Sequence, residues 1–180
     1  ENSLLSLQKY CQQQNYSGWD PYDGLSSKVF QGLGLHKLAF FRLVWIQLFK
    51  RNPINLRRLL LVPKGYNPKG IGLFLSAYSK ELIALKKNGE GNHADLAKNV
   101  NTLADLLIGI RSEGFSGSCW GYNFDWQARG GLFFPSGTPT VVATTYAAYG
   151  LFDAYEATGY TKYLNVALDA VNFVIKDLGR

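Results

Sequence analysis

Apolar residues along this chain recur mostly three or four positions apart, the spacing that gathers side chains on one face of a helix. Residues 1–14 place Leu4, Leu7 and Cys11 on such a face with Leu5 beside them, which predicts a first helix ending near Asn15. Residues 35–50 are apolar nearly all round, with Leu38, Phe41, Val44, Trp45 and Leu48 joined by Phe40 and Leu43, the pattern of an inner helix. Asn52-Pro53 then reads as a cap with proline at the first helical position, opening a short helix that runs to Leu61 and stops at Val62-Pro63. Asn67-Pro68 repeats the device and starts a helix with Ile71, Phe74, Leu75, Tyr78, Leu82 and Leu85 inward, closed by Lys87-Asn88-Gly89. Asn92 caps the next, whose face is Leu96, Val100, Leu103, Leu107 and Ile110. Thr138-Pro139 opens a fifth, lined by Val141, Thr145, Ala148, Phe152 and Tyr155 and ended by Gly159. Thr161 caps the last, with Tyr163, Ala167, Ala170, Val171 and Val174 as its stripe, and Asp177 to Gly179 closes it.

No alternating run is bounded by hairpin signals, so the pattern predicts an all-α chain without strands. The connections at 88–92 and 159–161 are short enough to make antiparallel helical hairpins of the helices they join. Hairpins repeating every 40 to 50 residues or so indicate a solenoid or a closed toroid. If the short helix after Pro53 is the return arm of helix 35–50, up-down alternation puts the links 16–34, 62–66 and 113–137 at one end.

The segment 113–137 breaks the helical rhythm. It holds Phe115, Trp120, Tyr122, Phe124, Trp126 and Phe133 beside Asp125, Arg129 and several glycines, with no helical or strand period to account for them. A link this long inside a compact domain is usually functional, and its aromatic content argues against disorder. The link 16–34 opens similarly, with Trp19-Asp20-Pro21-Tyr22-Asp23-Gly24 setting aromatics against carboxylates.

Size and composition narrow the class. A chain of 180 residues, 47% hydrophobic, is expected to form a single domain with a substantial core. A net charge of +6 favours an acidic partner such as a uronic-acid polymer, a phosphorylated sugar, nucleic acid or an anionic membrane. The basic run Lys50, Arg51, Arg57, Arg58, Lys64 and Lys69 reads either as a polyanion-binding surface or as a solvated outer face, and no nucleic-acid module accompanies it. No apolar run reaches membrane-span length. The only cysteines, Cys11 and Cys119, are too few for a disulfide framework and suit a reducing, cytoplasmic setting. Together with His36 and His93 they lack metal-ligand spacing, so neither metal nor cofactor is expected.

The stretch Thr144-Thr145-Tyr146-Ala147-Ala148-Tyr149-Gly150-Leu151, then Tyr155-Glu156-Ala157-Thr158-Gly159 and Lys162-Tyr163-Leu164, resembles a hairpin of the six-hairpin, (α/α)6 toroid superfamily of glycosidases, lyases and sugar epimerases. The motif Trp19-Asp20-Pro21-Tyr22-Asp23-Gly24, with Cys119-Trp120-Gly121-Tyr122, Phe124 and Trp126-Gln127, further resembles a branch associated with polysaccharide biosynthesis. That resemblance implies about half of such a toroid, hence a fragment of a longer chain or a homodimer, and an oligosaccharide or polysaccharide partner. Trp19, Tyr22, Trp120, Tyr122 and Trp126 would then be stacking platforms for sugar rings, with Tyr122 and Trp126 the more exposed and Trp120 the more buried. Arg129 would clamp an acidic group or pair with Asp125. Asp125, between Phe124 and Trp126, is the candidate general acid, and Asp23 or Asp20 the base, although both of these are also ordinary turn residues. The expectation is a carbohydrate-processing domain; its alternative is a non-catalytic glycan-binding or scaffold domain.

Overall fold

A computed structural model of the chain describes residues 2–89, 93–128 and 130–178. Arg129 and the caps assigned to Asn92 and Gly179 lie outside them. The described chain is mostly helical, and it divides into two compact units: residues 1–67 with 123–137, and residues 68–122 with 138–180.

The second unit is built of four helices: α4 (Pro68–Asn88), α5 (Ala94–Gly109), α6 (Val141–Thr158) and α7 (Thr161–Phe173). Proline at the first turn of α4 costs nothing, because that N–H would have no partner within the helix. Gly159, at φ 77°, ends α6 in the left-handed conformation that glycine adopts without strain, and α7 begins two residues later. Leu75, Leu82, Leu103, Leu107 and Leu151 are fully buried, each contributing about 1.5–3 kcal/mol.

α4 and α6 run parallel. Gly72 meets the backbone of Tyr146 and Ala147, Ser76 Oγ donates to Asp153, and Lys86 Nζ donates to the Ala157 carbonyl at 2.6 Å, so the pairs climb both helices together. Their approach depends on missing side chains: a Cβ on Gly150 would lie 2.6 Å from the Gly72 carbonyl oxygen. The face that α6 buries is therefore Ala143, Thr144, Ala147, Gly150, Leu151, Ala154 and Ala157, none of which is in the stripe predicted. Val141, Thr145 and Phe152 are exposed. Close packing of small residues outweighs the burial of big ones here, and apolar periodicity alone points to the wrong side. Two further corrections concern ends and faces. The cap of α6 is Thr140, whose Oγ1 accepts from the Ala143 N–H at 3.1 Å, and Tyr160 rather than Thr161 precedes α7. On α7, Phe173 is buried while Val171 and Val174 stay exposed.

The first unit has less regular structure. It comprises α1 (Asn2–Gln13), α2 (Lys28–Gly32), α3 (Ala39–Arg51) and an antiparallel pair of two-residue strands, β1 (Trp126–Gln127) and β2 (Phe133–Phe134), which the sequence pattern does not predict. Asn15 and Tyr16, both at positive φ, reverse the chain after α1. Ser27 caps α2 through the Phe30 N–H and donates its own hydroxyl to the Leu60 carbonyl at 2.7 Å. The core is Leu25, Phe30 and Ile46, with Trp45 stacked on Phe30 at 4.7 Å and donating its indole N–H to the Gly24 carbonyl.

α3 is not an inner helix: Ile46 is its only fully buried residue, and Phe40, Phe41, Val44 and Leu48 are exposed. A helix apolar all round carries no period to say which face packs, and only the Trp45 and Ile46 side meets neighbours in the core. The helix predicted from Pro53 to Leu61 does not form. Asn52 instead caps the end of α3, and its side chain accepts from the Ile54 N–H in a turn. One further turn closes with Val62 N–H on the Arg57 carbonyl and Leu61 left-handed. The return arm assumed for α3 is thus absent.

Candidate functional site

The link that begins at Trp19 is held by side-chain hydrogen bonds. The Asp20 carboxylate accepts the Tyr22 N–H at 3.0 Å and Asn67 Nδ2 at 3.2 Å. Asp23 accepts the Asp20 N–H at 3.0 Å and Arg57 Nε at 2.9 and 3.2 Å, while Arg57 Nη2 donates to the Asp20 carbonyl. Burial pushes the Asp23 carboxyl above its ordinary value, opposed by the Arg57 guanidinium and the Asp20 N–H. Asp23 is buried with both oxygens occupied, so the two predicted base candidates form one tied turn. Trp19 donates to the Val62 carbonyl at 3.0 Å, with Lys64 Nζ over its ring, and Lys50 Nζ lies over the Tyr22 ring.

Three links meet at Gly65. It pairs with Gly18 through two backbone hydrogen bonds of 3.0 Å, and the Asn123 side chain occupies the space that a Cβ at Gly65 would fill. Of the expected gathering of links 16–34, 62–66 and 113–137, this unit shows the part that involves Gly18, Gly65 and Asn123, made by glycine contacts rather than by helix alternation.

From Asn123 the chain enters the β1–β2 hairpin. Asp125 accepts the Ser136 N–H at 2.8 Å across the hairpin's ends. The Trp126 ring, 39% exposed, stacks on Phe134 at 5.4 Å with planes 24° apart. On the other side Gln127 is buried: its Oε1 accepts Arg42 Nε at 2.7 Å, and its Nε2 donates to the Leu132 carbonyl at 2.9 Å. Arg42 also donates to the His36 carbonyl and lies 4.5 Å over the Phe133 ring. Arg42, Arg57, Gln127 and Asn67 were not legible as site residues, because each is polar in a stretch read as helix, solvated face or loop. The signals present were Arg42 as a charge interrupting an apolar run, Gln127 as the end of the quoted motif, and Arg57 as a member of the basic run. Arg57 leaves the basic run entirely, since it turns inward to Asp23.

The remaining predicted residues belong to the second unit. Trp120 is fully buried with its indole N–H on the Leu107 carbonyl at 2.8 Å, so it is a core residue there, and Tyr122 is half-buried. Beside them Ser118 donates from both N–H and Oγ to Asp169, at 2.7 and 2.8 Å. Hydrogen bonds from Asn172 and Ser118 hold the Asp169 carboxyl below its ordinary value. Burial, with Asp177 and Asp169 nearby, pushes the Cys119 thiol up to about 11, which leaves it neutral and unreactive.

Among the described residues no group of three His, Cys, Asp or Glu is placed to hold a metal ion, Cys11, His36, His93 and Cys119 included. The arrangement thus offers an exposed aromatic platform, Trp126 on Phe134, on one side of the hairpin, Arg42 held by Gln127 over Phe133 on the other, and carboxylates engaged in holding turns. Neither a family model, a curated protein nor a solved structure matches this chain.

Proposed function

We propose that this chain binds a glycan, with acidic, uronic-acid-type sugars favoured, and that the β1–β2 hairpin of the first unit is the binding surface. The observation that carries the proposal is the Trp126 ring, exposed and held flat against Phe134. Such a platform presents a rigid apolar face to a sugar ring at little cost in side-chain entropy. The net charge of +6 supplies a positive field for a carboxylated ligand.

Half of an (α/α)6 toroid is the architecture within this proposal, supported by the parallel packing of α4 and α6, each with its partner helix in contact. The unpaired thiols of Cys11 and Cys119 fit the cytoplasmic setting that belongs to it. A binding or scaffold role is favoured over catalysis because Asp20 and Asp23 are engaged with Arg57 and Asn67. A catalytic version would need Asp125 as acid and one of that pair as base.

Titrating the protein with neutral and uronic-acid oligosaccharides, followed by tryptophan fluorescence and by mass spectrometry of the sugars, tests the reading. Saturable quenching by the acidic members without new masses is expected, lost by at least about tenfold in Trp126→Ala and retained in Asp125→Asn, since stacking on one aromatic is worth roughly a factor of ten. New product masses that disappear in Asp125→Asn would establish the catalytic version. No quenching by any sugar would remove the glycan proposal.

A further inference from the structure

We infer that the exposed side of α3 and the turns that follow it dock the first unit on an anionic lipid bilayer. Phe40, Val44 and Leu48 stand four residues apart on α3, and Arg51 follows three further on, so they form one stripe. Phe40 is 70% and Leu48 59% exposed, and Ile54 beyond the helix is exposed as well. A groove of about 680 Å³ opens between this stripe and the 54–60 turns, with Val44, Leu48, Arg51, Ile54 and Leu60 among its walls. Contiguous apolar surface of this kind marks an interaction site.

Charge selects the occupant. Residues 24–67 hold eight Lys and Arg and no Asp or Glu. With Arg42 and Arg57 turned to internal partners, Lys28, Lys37, Lys50, Arg51, Arg58 and Lys64 remain exposed in this span, Arg51 on the stripe itself. A second copy of this surface would set like charges against each other. A polyanion alone would leave Phe40, Leu48 and Ile54 in water. The interface of an anionic bilayer takes both, with apolar side chains at the acyl boundary and cations among the headgroups.

The geometry is that of a helix lying along the surface. α3 has 13 residues and spans about 20 Å at about 1.5 Å per residue, short of the roughly 30 Å of a hydrocarbon core. Among the described residues no helix is long and apolar enough to cross a membrane.

Co-sedimentation of the whole chain with extruded vesicles decides the matter. The probes are vesicles of phosphatidylcholine alone and vesicles with about a third phosphatidylglycerol. Binding to the anionic vesicles is expected to be at least about tenfold tighter than to the neutral ones and to weaken as salt is raised. Phe40→Ser/Leu48→Ser, at exposed positions, is expected to lose at least about tenfold with an unchanged circular dichroism melt. Lys50→Glu/Arg51→Glu/Arg58→Glu provides an independent second variant and is expected to abolish the preference for anionic vesicles. Equal affinity for both vesicles, no binding, or wild-type binding by both variants overturns the inference. So does sedimentation as a dimer that Phe40→Ser/Leu48→Ser converts to monomer, which would make a second copy the occupant.

Discussion

In residues 68–122 and 138–180 the backbone satisfies itself in long helices and side chains fill the space between them. In residues 1–67 and 123–137 the order is reversed, and polar side chains hold the backbone in turns. α4 and α6 approach through glycine and alanine, with Ser76 and Lys80 meeting Asp153 beside that contact. The turns at 20–27 and 52–62 are held instead by Asp20, Asp23, Ser27, Asn52 and Arg57. The difference shows where each unit is vulnerable: one to added volume, the other to the loss of a single charge.

The largest effect is expected from Arg57→Ala. It leaves Asp23 buried without its cation and should cost the first unit about 3–5 kcal/mol. The loss should depend on pH in a defined direction. Because burial raises the Asp23 carboxyl in the folded state, the folded chain holds this proton more tightly than the unfolded chain. That contribution to stability is full below about pH 4 and is lost as pH rises through the folded value. Removing Arg57 raises the folded value further, so the gap between variant and native chain should widen from acid to neutral pH. Urea unfolding followed by tryptophan fluorescence at several pH values measures this, and a gap independent of pH would mean that the ion pair is not what holds the turn.

Gly72→Val is next, at about 1–3 kcal/mol, because its side chain would collide with the Tyr146 carbonyl rather than with a flexible group. Thermal denaturation reads it, and a neutral outcome would show that α4 and α6 separate more easily than their packing implies. Thr140→Ala is the smallest, about 1 kcal/mol, from losing the hydroxyl that accepts the Ala143 N–H. A shift in melting temperature of a few degrees is expected from it. An equal loss from Thr138→Ala would move the cap back to Thr138.

Legibility followed the same division. α4, α5, α6 and α7 fall within a few residues of the spans that periodicity predicts, and the predicted faces of α4 and α5 supply Ile71, Leu75, Tyr78, Leu82, Val100, Leu103 and Leu107 to the core, with Phe74, Leu85, Leu96 and Ile110 half-buried. The face of α6 did not, since a stripe of Ala and Gly scores below Phe152 and Tyr155 in any apolar count yet allows the closest approach. In the first unit, α3 was found as an element and misplaced as a core helix, and the helix expected after Pro53 is a set of turns. Of the candidate site, Trp126 and Asp125 were identified and do share a hairpin, whereas Trp120, only two residues before Tyr122, is core. One-dimensional patterning cannot separate these aromatics, because no period relates them.

What the sequence by itself determined is the helical character of the chain, most helix boundaries of the second unit, and the two irregular links that break the rhythm. Those depend on local quantities: apolar spacing, proline and glycine stops, and capping hydroxyls within three residues of the groups they satisfy. Tertiary structure alone decided which face of α6 is buried, that Arg57 leaves the basic run for Asp23, and that Gly18, Gly65 and Asn123 come together. Each of these joins groups tens of residues apart, through steric room or desolvated charge that exists only once the chain has folded.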